Sequence, residues 1–121
     1  MTEYAELIAR LEAAEVGPDL DASICVLLQY GGPNSDGATN VRTDGDWEGD
    51  LLFEQGSDEC CNPIPAVTTS LDAALALAER VFGEEEAVWM LREVLADFTG
   101  PIKLLPVALC ISILKALEAK Q

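Results

Sequence analysis

The chain has 121 residues, half of them hydrophobic, with 22 acids against 7 bases and a net charge of −15. That length suits one domain with a core of its own, and the apolar content excludes a disordered chain. The charge excludes nucleic-acid binding by phosphate neutralisation and disfavours anionic membranes, and it favours a basic protein partner by field steering.

The first predicted helix runs from about Thr2 to Ala14. Tyr4, Leu7, Ile8 and Leu11 recur at helical spacing, with Glu3 and Glu6 at the positive end of the helix dipole. Gly17-Pro18 stops it. The second element starts near Asp19 or Asp21, either of which can cap, and carries the short apolar run Ala22 to Leu28. Periodicity alone leaves that run open between helix and strand. Tyr30-Gly31-Gly32-Pro33 ends it.

Residues 31 to 65 change character. Six of the nine glycines lie here, with Asp36-Gly37 and Asp44-Gly45 as turn signals. One or two short strands are expected near Val41-Arg42 and Asp50 to Phe53. A third helix follows, capped by Thr69 or Ser70. Leu71, Ala74, Leu75, Ala78, Val81 and Phe82 form its stripe, and Gly83 ends it. A fourth helix opens with Glu84-Glu85-Glu86 and ends at Phe98-Thr-Gly-Pro101. Its expected core stripe is Ala87, Val88, Leu91, Val94, Leu95 and Phe98. The fifth begins near Leu105 or Pro106 and reaches about Ala119. It is apolar almost all round, which marks a central buried helix. The fold class expected is therefore α+β, predominantly helical, with four to five helices and a small β element over residues 1–121 as one domain.

The longest apolar run, Leu104 to Leu114, is interrupted by Pro106 and Ser112 and is too short to span a bilayer. The acidic N-terminus lacks the pattern of a secretory or transit signal, so a cytoplasmic protein is expected. Cys25 and Cys110 sit in apolar runs, as small core residues do. Cys60-Cys61 is adjacent, which disfavours two corners of one zinc tetrahedron and allows a vicinal redox pair, though no neighbouring base supports one. With no histidine and no C-x-x-C pair, zinc has no expected site.

Three patches of the chain resemble a known family. Residues 6 to 29 contain an opening helix followed by Leu20-Asp21-x-x-Ile24. Residues 66 to 82 carry Thr69-Ser-Leu-Asp-Ala-Ala-Leu-Ala-Leu77. Residues 105 to 117 carry Pro106-x-Ala-Leu-Cys110. Together they resemble the phage ABA sandwich domain family of small phage and prophage proteins. The resemblance implies a phage or prophage origin and a helical reading of residues 22 to 28, and it carries over no catalytic residue. In that family an aromatic strand hairpin follows the T-S-L-D helix, whereas residues 84 to 98 here read as a helix.

Candidate sites are few. Asp44 to Gln55 imitates a calcium loop in part, with Asp44, Asp46 and Glu48 as oxygen donors and Gly49 at the sixth position. Gln55 stands where a bidentate glutamate is needed, so no metal or other cofactor is expected. Residues 36 to 59 hold eight acids against Arg42 alone, a net of −7. Asp44, Asp46, Trp47, Glu48 and Asp50 therefore form one candidate partner surface, whose spaced carboxylates could imitate nucleic-acid phosphates. Trp89 is the other candidate. On a helical wheel it leaves the expected stripe and shares its side with Glu85, Arg92, Glu93 and Ala96, with Arg92 in reach for a cation–π contact. The absence of histidine, of G-x-S-x-G and of any phosphate-binding glycine loop weighs against an enzyme.

The reading with most support is a non-catalytic phage accessory protein that binds a host protein, such as a counter-defence inhibitor with an acidic surface. An alternative is an oligomer that sequesters a host signalling nucleotide, using Arg42, Arg80, Arg92 and Lys103 from different segments or chains. Another is an accessory protein of the virion. Trp89 and the apolar last helix both lead to the expectation of a homo-oligomer, most simply a dimer.

Overall fold

In a computed structural model of the chain, residues 3–43 and 49–120 are described. Among these residues stand five helices and a small sheet: α1 (Glu3–Glu12), α2 (Pro18–Leu27), α3 (Leu71–Phe82), α4 (Glu84–Asp97) and α5 (Leu105–Ala119), with a 3-10 turn at Ile102–Leu104 before α5. The strands β1 (Thr39–Thr43), β2 (Asp50–Gln55) and β3 (Asp58–Pro63) form an antiparallel meander in the order β1-β2-β3. The expected class, α+β and mostly helical, is the observed one. The third strand was not expected. Its sequence, Asp-Glu-Cys-Cys-Asn-Pro, has little strand propensity, and pairing with β2 from Asp50↔Pro63 to Gln55↔Asp58 holds it instead.

Helix α5 is the hub. Leu109, Cys110, Ile113 and Leu114 are fully enclosed, and α1, α3 and α4 all pack on it. Each such leucine or isoleucine contributes about 1.5–3 kcal/mol by leaving water. Its apolar surface is thus covered within one chain, which removes one of the two grounds for expecting an oligomer. From the sheet, Val41, Leu51 and Phe53 complete the core. Leu77, which lies off the expected α3 stripe, is as fully buried as Ala74 and Ala78, because α3 is flanked by both α4 and α5.

One junction departs from the sequence reading, and two follow it. Helix α2 starts at Pro18, with Gly17 as its N-cap, so neither Asp19 nor Asp21 caps it. Proline at the first helical position needs no N–H partner, which lets the helix begin earlier. Helix α3 is capped by Ser70, whose hydroxyl accepts from the Ala73 N–H at 3.3 Å. Gly83, at φ +94°, ends α3 and begins α4, a sharp reversal that any L side chain would strain.

Two amide side chains, Gln55 and Asn62, fasten the loop of residues 30–38, and a third, Gln29, ties β1 at the loop's far end. Gln29 acts as a substitute strand for β1: its carbonyl accepts from the Val41 N–H at 2.9 Å and its amide donates to the Val41 carbonyl at 3.1 Å. Gln55 donates to the Asn34 and Asp36 carbonyls, and Asn62 donates to those of Gly31 and Pro33. Gly31 lies so close to the Phe53 ring that a Cβ there would stand 2.8 Å from Cδ1.

Candidate functional site

The outer face of α4 is the most distinctive surface. The helix turns Ala87 fully inward, with Met90, Leu91 and Val94 partly covered against the core. Val88 and Leu95, expected in the buried stripe, are 45% and 51% exposed. The correction has a simple cause. Ala87 lets α4 approach its neighbours closely, and the packed face centres on Ala87 and Val94, which rotates Val88 and Leu95 outward. Trp89 is 60% exposed, so no loop among the described residues folds back over it. Ile102, in the turn after α4, is 84% exposed.

Helical geometry orders this face. Val88 and Leu95 make one apolar row. Arg92, Glu85 and Ala96 occupy the outermost line. Trp89 lies beyond them, and a row of acids, Glu86, Glu93 and Asp97, runs along its flank. At the α4 N-terminus, Phe82, Gly83, Glu85, Val88, Trp89 and Arg92 border an open depression of about 960 Å³. The expected cation–π contact of Arg92 with Trp89 is not formed. The two such pairs among the described residues are Arg80 over Tyr30 at 5.3 Å and Lys120 over Phe82 at 5.1 Å.

The acidic middle segment is less free than its composition implies. Asp36 pairs with Arg80 at 3.0 Å, and Glu59 pairs with Arg42 at 3.0 Å. Asp50 is half-buried at the start of β2, opposite Pro63. Asp44, Asp46, Trp47 and Glu48 lie outside the described residues. In the calcium-like stretch, residues 50–55 form a strand where such a loop would enter its second helix, and Gln55 is occupied with the 34–36 turn.

The four bases considered for a phosphate pocket stand on separate elements. Arg42 is held in the sheet by Glu59 and the Asn40 carbonyl. Arg80 is fixed by Asp36, by the Ser35 hydroxyl at 3.0 Å and by the Tyr30 ring. Arg92 is on α4, and Lys103 is in the 3-10 turn. Their guanidinium and ammonium groups do not share a partner. Cys60 and Cys61 follow one another on β3, so their sulfurs point to opposite faces of the sheet. That geometry disfavours both a vicinal disulfide and a common chelate.

One buried polar cluster escaped the sequence reading. Asp21 is 4% exposed, and its Oδ1 accepts from the Thr68 N–H at 2.8 Å and from the Thr68 hydroxyl at 2.7 Å. The Thr68 hydroxyl oxygen in turn accepts from the Gly17 N–H at 3.1 Å. Burial raises the Asp21 pKa above its ordinary value, and the two Thr68 bonds partly oppose this. Nearby, burial pushes both Cys25 and Cys110 up to about 12, with the Asp21 charge as the second cause. Cys110 donates to the Val67 carbonyl at 3.2 Å. These groups tie α2, α5 and the entry to α3 together, and all are sealed from solvent. They read as structure, not as chemistry. Little in the sequence hints at them, because Asp21 sits with Asp19 in the first turn of α2, where acids have an ordinary dipole reason.

Comparison of the chain with protein-family models, with curated proteins and with solved structures finds no match.

Proposed function

We propose that this protein is a non-catalytic binding protein that docks another macromolecule on the outer face of α4. The observation that carries the reading is the exposure of Val88, Trp89 and Leu95 on one helix, with Ile102 just beyond it. A helix in a well-packed small domain has no internal reason to show a tryptophan and two aliphatic side chains to water, and tryptophan is the residue most often found to anchor an interface. The buried titratable groups, Asp21, Cys25, Tyr30 and Cys110, are occupied by structural contacts or enclosed, which leaves no poised acid, base or nucleophile among them. The three-patch resemblance to a phage family supports a phage setting and a host protein as the target, as a counter-defence inhibitor would have. Sequestration of a nucleotide gains no support, because Arg42 and Arg80 are already engaged within the chain.

The test places a photo-crosslinking benzophenone amino acid at Val88, at Leu95 or at Ser57, which is exposed in the β2–β3 turn beside the acidic segment. Adducts with a host macromolecule from positions 88 and 95, and none from 57, are expected. Adducts from 57 alone would move the site to the acidic hairpin and refute the α4 reading.

A further inference from the structure

Resting on that reading, we infer that the occupant of the α4 face is a basic amphipathic helix of a partner protein, laid along α4. Three features of the face set its chemistry. Of the apolar anchors, Val88 and Leu95 stand seven residues apart in one row, two turns along the helix, and Trp89 stands across the line of Glu85 and Arg92 from them, so a rod laid along α4 over that line meets all three. The flanking row of Glu86, Glu93 and Asp97 carries three carboxylates, which match cations on the edge of a helix seated over Trp89. Arg92 is in none of the ion pairs among the described residues. It stands in the midline of the face and offers a donor to one acid or carbonyl of the partner.

Charge decides between this occupant and a second copy of the chain. Helix α4 holds five acids and one base within a protein of net charge −15. Pairing two such faces brings two like-signed acid rows together, and like charges across an interface disfavour association. A basic helix gains from the same field in both encounter rate and register.

The probes are three synthetic 18-residue peptides: one of Leu and Lys with leucines at helical spacing, one of the same composition scrambled to remove the period, and one with each Lys of the first replaced by Glu. Binding is read from Trp89 emission in a Trp47→Phe variant, which leaves Trp89 as the one tryptophan. The periodic Leu/Lys peptide is expected to shift Trp89 emission to the blue and to bind at least about tenfold tighter than the scrambled one. The Leu/Glu peptide should leave the emission unchanged. By calorimetry, Trp89→Ala should weaken the periodic peptide about thirtyfold, and the combined change Glu86→Gln, Glu93→Gln, Asp97→Asn about tenfold at low salt, with the second loss vanishing at high salt. Circular dichroism of each variant checks that the fold is kept.

Equal binding of the scrambled peptide would reduce the contact to net charge and overturn the inference. So would binding of the Leu/Glu peptide, or a twofold mass by sedimentation that Trp89→Ala abolishes, since that would make a second copy the occupant. If all three peptides fail while Val88 still crosslinks to a host macromolecule, the docking face stands and the basic helix falls.

Discussion

Replacing Thr68 by valine keeps the shape of a fully buried side chain and removes one hydroxyl. That hydroxyl donates to Asp21 Oδ1 at 2.7 Å and accepts from the Gly17 N–H at 3.1 Å. A hydrogen bond to a charged group contributes about 1.5–3 kcal/mol, and a partly buried N–H left without its partner costs about 1 kcal/mol more. The added methyl group returns up to about 0.8 kcal/mol by burial. The expected net loss is about 2–3 kcal/mol, a large share of the 5–15 kcal/mol typical of a domain. In urea this moves the midpoint by about 1–2 M for a chain of this size.

The loss should depend on pH, and its sign follows from Asp21. Burial holds the folded-state pKa of Asp21 above its unfolded value. The folded protein therefore binds this proton more tightly than the unfolded chain. The stability this confers is full below the unfolded value and is lost as pH rises through the folded one. Thr68 bonds to the ionised carboxylate and so limits the rise. Without the hydroxyl the folded pKa climbs further, and the pH window of loss widens upward. Urea titrations followed by circular dichroism from about pH 4, the ordinary carboxylate value, upward to neutral should show the valine variant weakened more at the alkaline end. A difference below about 1 kcal/mol, or one independent of pH, would refute the claim that the hydroxyl supports an ionised, buried Asp21.

Gly31→Ala should cost about 1–3 kcal/mol in the same assay, because its Cβ would meet the buried Phe53 ring at 2.8 Å. An aromatic thiol reagent should label Cys61, and more slowly Cys60, in the native protein, leaving Cys25 and Cys110 unreacted until urea is added. Rapid labelling of all four at neutral pH would contradict the burial that raises the two core thiols to about 12. Val88→Lys with Leu95→Lys should change thermal stability by no more than about 0.5 kcal/mol, since both side chains already meet water. A large loss would mean that they support the fold after all.

The helices were legible because their periods are long and their ends are marked. Ser70 and Gly83 set two boundaries to within a residue, and the apolar circumference of residues 105–117 identified the hub. The sheet was half legible. Strand β2 alternates Leu51 and Phe53 inward, while β3 has no such alternation and depends on pairing that only the third dimension shows. The rotation of α4 could not be read, because its apolar residues cover more than one face. Val88 and Leu95 extend the stripe on one side as well as Met90 does on the other. Which side wins is set by α3 and α5, and the small Ala87 lets them decide. The Asp21–Thr68 bond joins residues 47 apart, so no local pattern announces it.

That ambiguity on α4 is itself informative. A helix serving only its own core needs one apolar stripe, and surplus apolar residues are selected against on an exposed face because they favour nonspecific association. Here the surplus is ordered. Val88 and Leu95 stand a full two turns apart in one row, and Trp89 is set across from them. The acids beside Trp89 form a row along the helix, of which only Glu86 shares with Glu84 and Glu85 the positive end of the dipole. Glu93 and Asp97 lie near the opposite end, where negative charge opposes the dipole. Their placement works against the helix and in favour of a cationic neighbour. In the acidic middle segment, by contrast, two of the described acids, Asp36 and Glu59, are matched by Arg80 and Arg42 within the chain. Unmatched charge and uncovered apolar surface coincide on α4, and that coincidence makes it the face on which a partner would gain most.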